Sequence, residues 1–399
     1  MTNILEMPPM EVENTADKLR LALICDYLEE GWLSMNFCAE MLFNHLDAEH
    51  SSEMRSQQIR PAFQKRFGNI PWLNKKKSAF AMDRSINHFW DYPRHLSKQI
   101  NDFDFFHICD HSYAQLVHTL PAERTGVFCH DIDAFRTILE PNKYPGSMRY
   151  NAMQKRVLQG FQKAAVVFYT TTEVRKQIER YNLLDPSRLV QAPLGIAPEY
   201  SPYAQKIAPS DRLILAQTDN QPFILSVSSS KNRKRLDVLL DVFAAVRAKN
   251  PELKLVRVGS NWTSAHQEQI ERLKIADGII HLQGLERTAL AELYRRALLV
   301  LVTSEAEGFG LPIIEALACG SIVVASDLPV LREVGESAGV YCPVGDIPKW
   351  AETVEQLLTS PTFAPERTIR LAQAAKYSWS FHTQTISQAY ARLANSLGK

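Results

Sequence analysis

Two glutamates, Glu307 and Glu315, stand eight positions apart and enclose Gly308, Phe309, Gly310 and Leu311. The apolar run 297–302 before them reads as a short buried strand. The run from Leu311 reads as the opening of a helix, with Pro312 in the first turn, where a missing N–H costs nothing. Glycines between the two let the backbone take unusual dihedrals and approach a ligand closely. The free N–H groups at the helix start can receive an anion or a ring of hydroxyls. Glu307 falls in the loop and Glu315 about one turn into the helix. Both can face the crevice outside the carboxyl edge of an open α/β sheet. A single glutamate would ordinarily be a solvated charge, and Glu315 also suits the positive end of a helix dipole. Two acids at this spacing around Gly-x-Gly, directly after a strand, are hard to read as surface decoration.

The stretch from Glu307 to Glu315 resembles the E-x7-E signature of retaining, nucleotide-sugar-dependent glycosyltransferases of the GT-B fold, family four (glycosyltransferase group 1). The runs ALACG after it and SIVVASD at 321–327 continue the resemblance. It implies two Rossmann-like, doubly wound α/β domains facing a cleft, with a last helix crossing back to the first domain. It implies transfer of a hexosyl group from a nucleotide-diphosphate sugar to an acceptor hydroxyl, with retention and without a bound metal or other cofactor. Arg233 and Lys234 fall where the family carries an Arg-Lys pair, and a lysine at that mouth can neutralise a leaving diphosphate as a point charge. A surface basic run (Lys231, Arg233, Lys234, Arg235) is the plain alternative. Glu307 would meet the sugar hydroxyls or the developing positive centre, and Glu315 the ribose. The N–H groups at 309–311 would serve the diphosphate, and Leu285 would pack beside the base. His130-Asp131 resembles the family's His-Asp pair, with His130 at the sugar and Asp131 as a partner orienting it. His111 would line the acceptor pocket. Two departures stand out. The loop 26–33 keeps only Gly31, beside bulky Trp32, where the family has a glycine-rich turn; a phosphate contact and an ordinary turn are equally open for Gly31. Ser228 and Ser229 replace a glycine and an arginine often found there.

Length and composition set the frame. The chain has 399 residues, enough for two domains with cores of their own. A hydrophobic content of 45% with 22% charged residues is globular, and a net charge of +1 gives no overall pull toward nucleic acid or membrane. The six cysteines form no C-x-x-C pair and several sit in apolar runs, as buried thiols of a reducing compartment would. The N-terminus is polar and acidic, unlike a signal peptide, and no apolar stretch is long enough to span a bilayer. The expected location is cytoplasmic, with peripheral contact at the inner face of a membrane left open.

The elements follow from pattern. Residues 1–17 read as a mobile lead, 18–197 as the acceptor domain, 198–221 as a proline-bearing linker, 222–378 as the nucleotide-sugar domain and 379–399 as the returning helix. Strands are expected at 19–25, 103–109, 124–129, 166–169 and 189–193, then at 223–227, 253–258 and 297–302. Ser34 is expected to cap the first helix. Between Arg55 and Lys98 ten lysines and arginines face two aspartates, with Trp72, Phe80, Phe89, Trp90 and Tyr92 interleaved. A solvated helical face with aromatics turned inward, a patch docking on anionic lipid, and a site for an anionic acceptor all fit. Asp131-Ile132-Asp133 has the form of a metal-binding D-x-D but lies in the half that should not hold the diphosphate, and reads as coincidence. The competing functions are a GT-B epimerase or phosphorylase, and a binding protein that kept the fold without catalysis.

Overall fold

The computed structural model describes residues 18–70 and 77–398. The expected lead at 1–17 and Trp72 lie outside them. Two six-stranded parallel sheets carry the chain. The first holds β1 (Leu19–Ile24), β2 (Met54–Ile59), β3 (Phe105–Ile108), β4 (Thr125–Cys129), β5 (Val166–Tyr169) and β6 (Leu189–Gln191) in the order β2-β1-β3-β4-β5-β6. The second holds β7 (Phe223–Val227), β8 (Lys254–Val258), β9 (Ile279–Leu282), β10 (Leu299–Val302), β11 (Val323–Ser326) and β12 (Val340–Cys342) in the order β12-β11-β10-β7-β8-β9. The central strands are near-continuous apolar runs, since helices cover both faces of each sheet. Each order reverses once, between β1 and β3 and between β7 and β10, and ligands of such sheets bind at that reversal.

The final helix, Trp379–Ser396, leaves the second domain and packs on the first, as expected. Ser378 caps it by accepting from the Phe381 N–H. Trp379 meets Phe37 edge-on at 5.6 Å, and the Tyr390 hydroxyl donates to the Phe106 carbonyl at 3.1 Å inside the first sheet. All six cysteines are buried and free.

Three local expectations need correction. Ser34 does not cap the helix Leu33–Glu49; it lies within the first turn, and Trp32 precedes the helix without a side-chain cap bond. The basic segment is not one helical face. It contains β2, whose sequence MRSQQI is too polar to announce a strand and which forms because β1 offers an edge for a six-residue parallel ladder. Helix Lys77–Ile86, a single π turn at Asn87–Asp91 and helix Tyr92–Ser97 follow. Its aromatics split: Tyr92 is buried, whereas Trp90 is exposed under the Arg94 guanidinium, 4.3 Å from its ring centre. The linker region also folds a short helix, Pro209–Leu215.

Candidate active site

The second sheet reverses between β7 and β10, so the loops after those strands must meet, and they carry Lys234 and Glu307. The first ends in a single helical turn, Asn232–Lys234, and Arg235 takes a left-handed conformation (φ 47°) to enter helix Leu236–Arg247. The second ends at Gly310 (φ 97°), directly before helix Leu311–Ala318. A side chain is strained at that φ, and a Cβ there would also meet Leu331 at 2.7 Å. The loops are stitched together by the Glu305 N–H on the Arg233 carbonyl (2.8 Å) and the Thr303 hydroxyl on the Lys234 carbonyl (3.0 Å).

Lys234 Nζ lies 2.5 Å from Glu307 Oε1, which also accepts from the Ser304 hydroxyl at 2.7 Å. Arg233 Nη1 stands 3.7 Å from Glu307 Oε2. Burial alone would push the Glu307 carboxyl up. The charges of Lys234 and Arg233, with the hydrogen bonds from Lys234 and Ser304, outweigh it and hold the group below the usual carboxylate range. Lys234, Glu307, Ser226, Ser228 and Ser304 line one cavity. Lys234 and Arg233 bring two cations to this sheet reversal, a charge type suited to a diphosphate.

Glu315 sits apart from this cluster. Its Oε2 accepts from the Tyr294 hydroxyl at 2.8 Å, and it does not line the cavity of Lys234 and Glu307. Burial raises its carboxyl to about 7, against the lowering hydrogen bonds from Tyr294 and Tyr200.

Gly308 works differently from expectation. The nearest approach it permits is to the other domain: a Cβ there would come within 2.0 Å of the His130 carbonyl oxygen. Its own carbonyl accepts from the Thr170 hydroxyl at 2.8 Å and the Thr171 hydroxyl at 3.3 Å. The Thr172 N–H reaches Glu333 across the same seam at 2.7 Å. Phe309 is buried and meets Tyr377 edge-on at 5.5 Å. Leu285 and Leu311 are half-buried against the core.

His130 lies at the carboxyl end of β4, and its Nε2 points at the Cys109 carbonyl at 3.0 Å. A carbonyl only accepts, so that bond assigns the proton to Nε2 and leaves Nδ1 as an acceptor. Burial is the main cause that keeps the imidazole neutral to lower pH than usual. The ring lines a second cavity with Cys38, His107, Cys109 and His382, separate from that of Lys234 and Glu307. Asp131 does not orient His130. It stands 3.6 Å from His111 Nε2 instead and accepts from the Asp133 N–H at 2.9 Å. His111 is gripped from the other side by Asp110 at 3.2 Å; burial lowers its pKa, but the two carboxylates prevail and raise it. Arg233 reaches over to Asp133 at 3.9 Å, joining the domains. The Gly31 N–H closes a local turn onto the Leu28 carbonyl (3.0 Å), and Trp32 receives the Lys231 ammonium over its ring at 3.6 Å. Among the described residues no group of His, Cys, Asp or Glu is placed to hold a metal ion.

Two groups escaped the sequence reading. Arg257, fully buried in β8, donates to the Ser228 carbonyl (3.2 Å) and Ser230 hydroxyl (3.0 Å), bracing the loop that lacks the expected glycine and arginine. A charged residue inside the run LVRV was the available signal. Asp26 and Asp110 lie at the reversal of the first sheet; a polar residue just past each strand was the signal there.

Comparison with known proteins falls unevenly on the chain. Residues 209–377 match the family model for glycosyl transferases group 1. The serotype-specific mannosyltransferase WbdA of Escherichia coli is 24% identical over 289 residues, covering 70% of this chain and 35% of the relative. A D-inositol 3-phosphate glycosyltransferase of Stackebrandtia nassauensis is 33% identical over 245 residues, 57% of this chain and 53% of the relative. O-antigen chain mannosyltransferase B of Escherichia coli is 28% identical over 308 residues, 74% and 77% respectively. The chain thus spans 35% of the length of the first of these relatives and 53% of the second. Among solved structures, a sucrose-phosphate synthase from Thermosynechococcus elongatus superposes with a TM-score of 0.69 at 16% identity, covering 95% of this chain and all of that one (100%). The Anabaena protein HepE, solved with UDP and glucose, gives a TM-score of 0.68 at 15% identity over 94% and 99%. These likenesses establish the architecture of two Rossmann-like domains.

Proposed function

We propose that this chain is a glycosyltransferase that moves a hexosyl group from a nucleotide-diphosphate sugar to an acceptor hydroxyl, with retention at the anomeric carbon and no catalytic metal. The observation that carries the reading is the meeting of Lys234, Arg233 and Glu307 at the reversal of the second sheet, beside a helix mouth. The match of residues 209–377 to group 1 glycosyl transferases covers that same region.

Departure of the nucleoside diphosphate from an oxocarbenium-like centre is the hard step, and charge grows on the leaving phosphate. Groups fixed in place before the reaction stabilise that charge without reorganising. Lys234 and Arg233 supply the positive charge, and Glu307 holds both at the loop junction while presenting a carboxylate to the sugar. Glu315, held by Tyr294, takes the ribose hydroxyls. His130 and the Gly308 contact place the first domain over the sugar. A uridine nucleotide is the first donor to try, since HepE was solved with UDP.

The test is nucleotide release from a panel of UDP- and GDP-sugars, followed by the anomeric configuration of the product by NMR and by activity after treatment with a chelator. Inversion, or loss of activity on chelation, would refute the finer part of the reading. Peripheral docking of the 55–98 region on anionic lipid is a separate proposal, supported by exposed Phe80, Met82 and Trp90. Flotation with and without anionic vesicles decides it.

A further inference from the structure

The first sheet reverses between β1 and β3, and the two carboxyls there, Asp26 and Asp110, have no role assigned so far. Ile24 pairs in register with Ile108, so Asp26 and Asp110, each two residues beyond, leave the sheet side by side at one level. Asp26 is 2% exposed, and neither of its carboxyl oxygens receives a hydrogen bond. The nearby Arg60 does not supply one. Its Nε donates to the Asp26 backbone carbonyl at 2.7 Å and its Nη2 to Asn36 at 2.8 Å. Glu30 is likewise taken, by His88 and Arg84. Asp110 accepts from the Ser112 N–H at Oδ1 and from the Ser112 hydroxyl at Oδ2, each at 2.9 Å, and is flanked by His111.

A buried carboxyl without donors is costly, and native structures seldom keep one without use. Burial, then the charges of Asp110 and Glu30, raise the Asp26 carboxyl well above its ordinary range, whereas Asp110 is held low. One proton between two adjacent carboxyls presents a donor and acceptors together. A hydroxyl matches that set; an ammonium, all donors, and a phosphate, all acceptors, do not. The pair also lies toward the second domain. Asp110 adjoins His111, which stands 3.6 Å from Asp131, and Arg233 of the second domain reaches Asp133 at 3.9 Å.

We propose that Asp26 and Asp110 together receive a hydroxyl of an uncharged sugar acceptor, Asp26 donating to it and Asp110 accepting from it. This rests on the transferase reading above and extends it to the acceptor half.

The test compares Asp26→Ala and Asp26→Asn with the wild-type chain, using methyl α-D-mannopyranoside as the probe acceptor. Asp26→Ala is expected to raise the acceptor KM roughly tenfold or more. Its melting temperature should equal or exceed that of the wild type, because an unsatisfied buried group has been removed. UDP affinity by calorimetry should stay within about twofold, since the second domain is untouched. Asp26→Asn keeps an acceptor oxygen and offers N–H donors, and should restore the KM to within about threefold. An unchanged acceptor KM in Asp26→Ala would overturn the proposal. A lowered melting temperature together with lost UDP affinity would make Asp26 structural and overturn it equally. Failure of the transferase reading itself shows earlier and differently, as no nucleotide release by the wild-type chain from any donor.

Discussion

The crevices at the two sheet reversals are built from the same topology and hold opposite chemistry. At the second, Lys234, Arg233, Ser304 and Glu307 satisfy one another before any ligand arrives. At the first, Asp26 is buried without a donor beside Asp110. The satisfied crevice lies in the half matched by a family model; the unsatisfied one lies in the half that model does not reach. A closed set of charges stays preorganised for one recurring group, such as a diphosphate. An open valence is completed by its ligand, and so can differ between proteins that share a fold.

The largest expected effect breaks the satisfied side. Lys234→Ala should lower donor turnover roughly a hundredfold to a thousandfold, the scale for losing one preorganised charge stabiliser. Glu307→Ala should match it, because it leaves Lys234 and Arg233 without their shared anion. Nucleotide release is the measurement, and a turnover within twofold of wild type would refute the assignment.

Next comes the seam between the halves. Gly308→Ala places a methyl group within 2.0 Å of the His130 carbonyl oxygen, so the domains must part. Turnover should fall roughly tenfold to a hundredfold. The melting temperature should barely move, as neither core is touched. Small-angle scattering should show a larger radius of gyration.

Glu315 sharpens the contrast within the second domain. Its carboxyl is raised from 4.5 to about 7. Between those values the unfolded chain has lost the proton and the folded chain has kept it. Stability is therefore fully present below pH 4.5 and declines as pH rises through about 7, by at most about 3 kcal/mol. Glu315→Gln should remove that part of the decline. Chemical denaturation at pH 5 and pH 8 reads it, and an identical pH slope in both proteins would contradict the burial argument.

The smallest effect is expected at Trp32. Trp32→Leu removes the ring under Lys231, an interaction worth about 0.5–2 kcal/mol. The donor KM should rise a few-fold with little change in kcat.

Much of the second domain was legible along the chain. β7 and β10 are apolar runs of ordinary strand length, inside the expected ranges 223–227 and 297–302. The loop 303–310 announced itself through its glycines and acids. The first domain was harder. β2 is polar because only an edge holds it, and a π turn at Asn87–Asp91 interrupts the helical spacing of the segment that carries Trp90 and Tyr92.

Taken alone, the sequence determined the strand–helix alternation, the positive-φ loop at Gly310 and the basic pair 233–234, since these depend on residues within a few positions of each other. The fold decided which charges meet. Lys234 and Glu307 are 73 residues apart, and the Thr170 hydroxyl finds the Gly308 carbonyl over 138. Strand order brings such groups together, and that order follows from long-range packing of buried faces, which no local pattern encodes. The same cause turned Gly308 toward the other domain, paired Asp131 with His111 and left the Asp26 carboxyl without a hydrogen-bond partner.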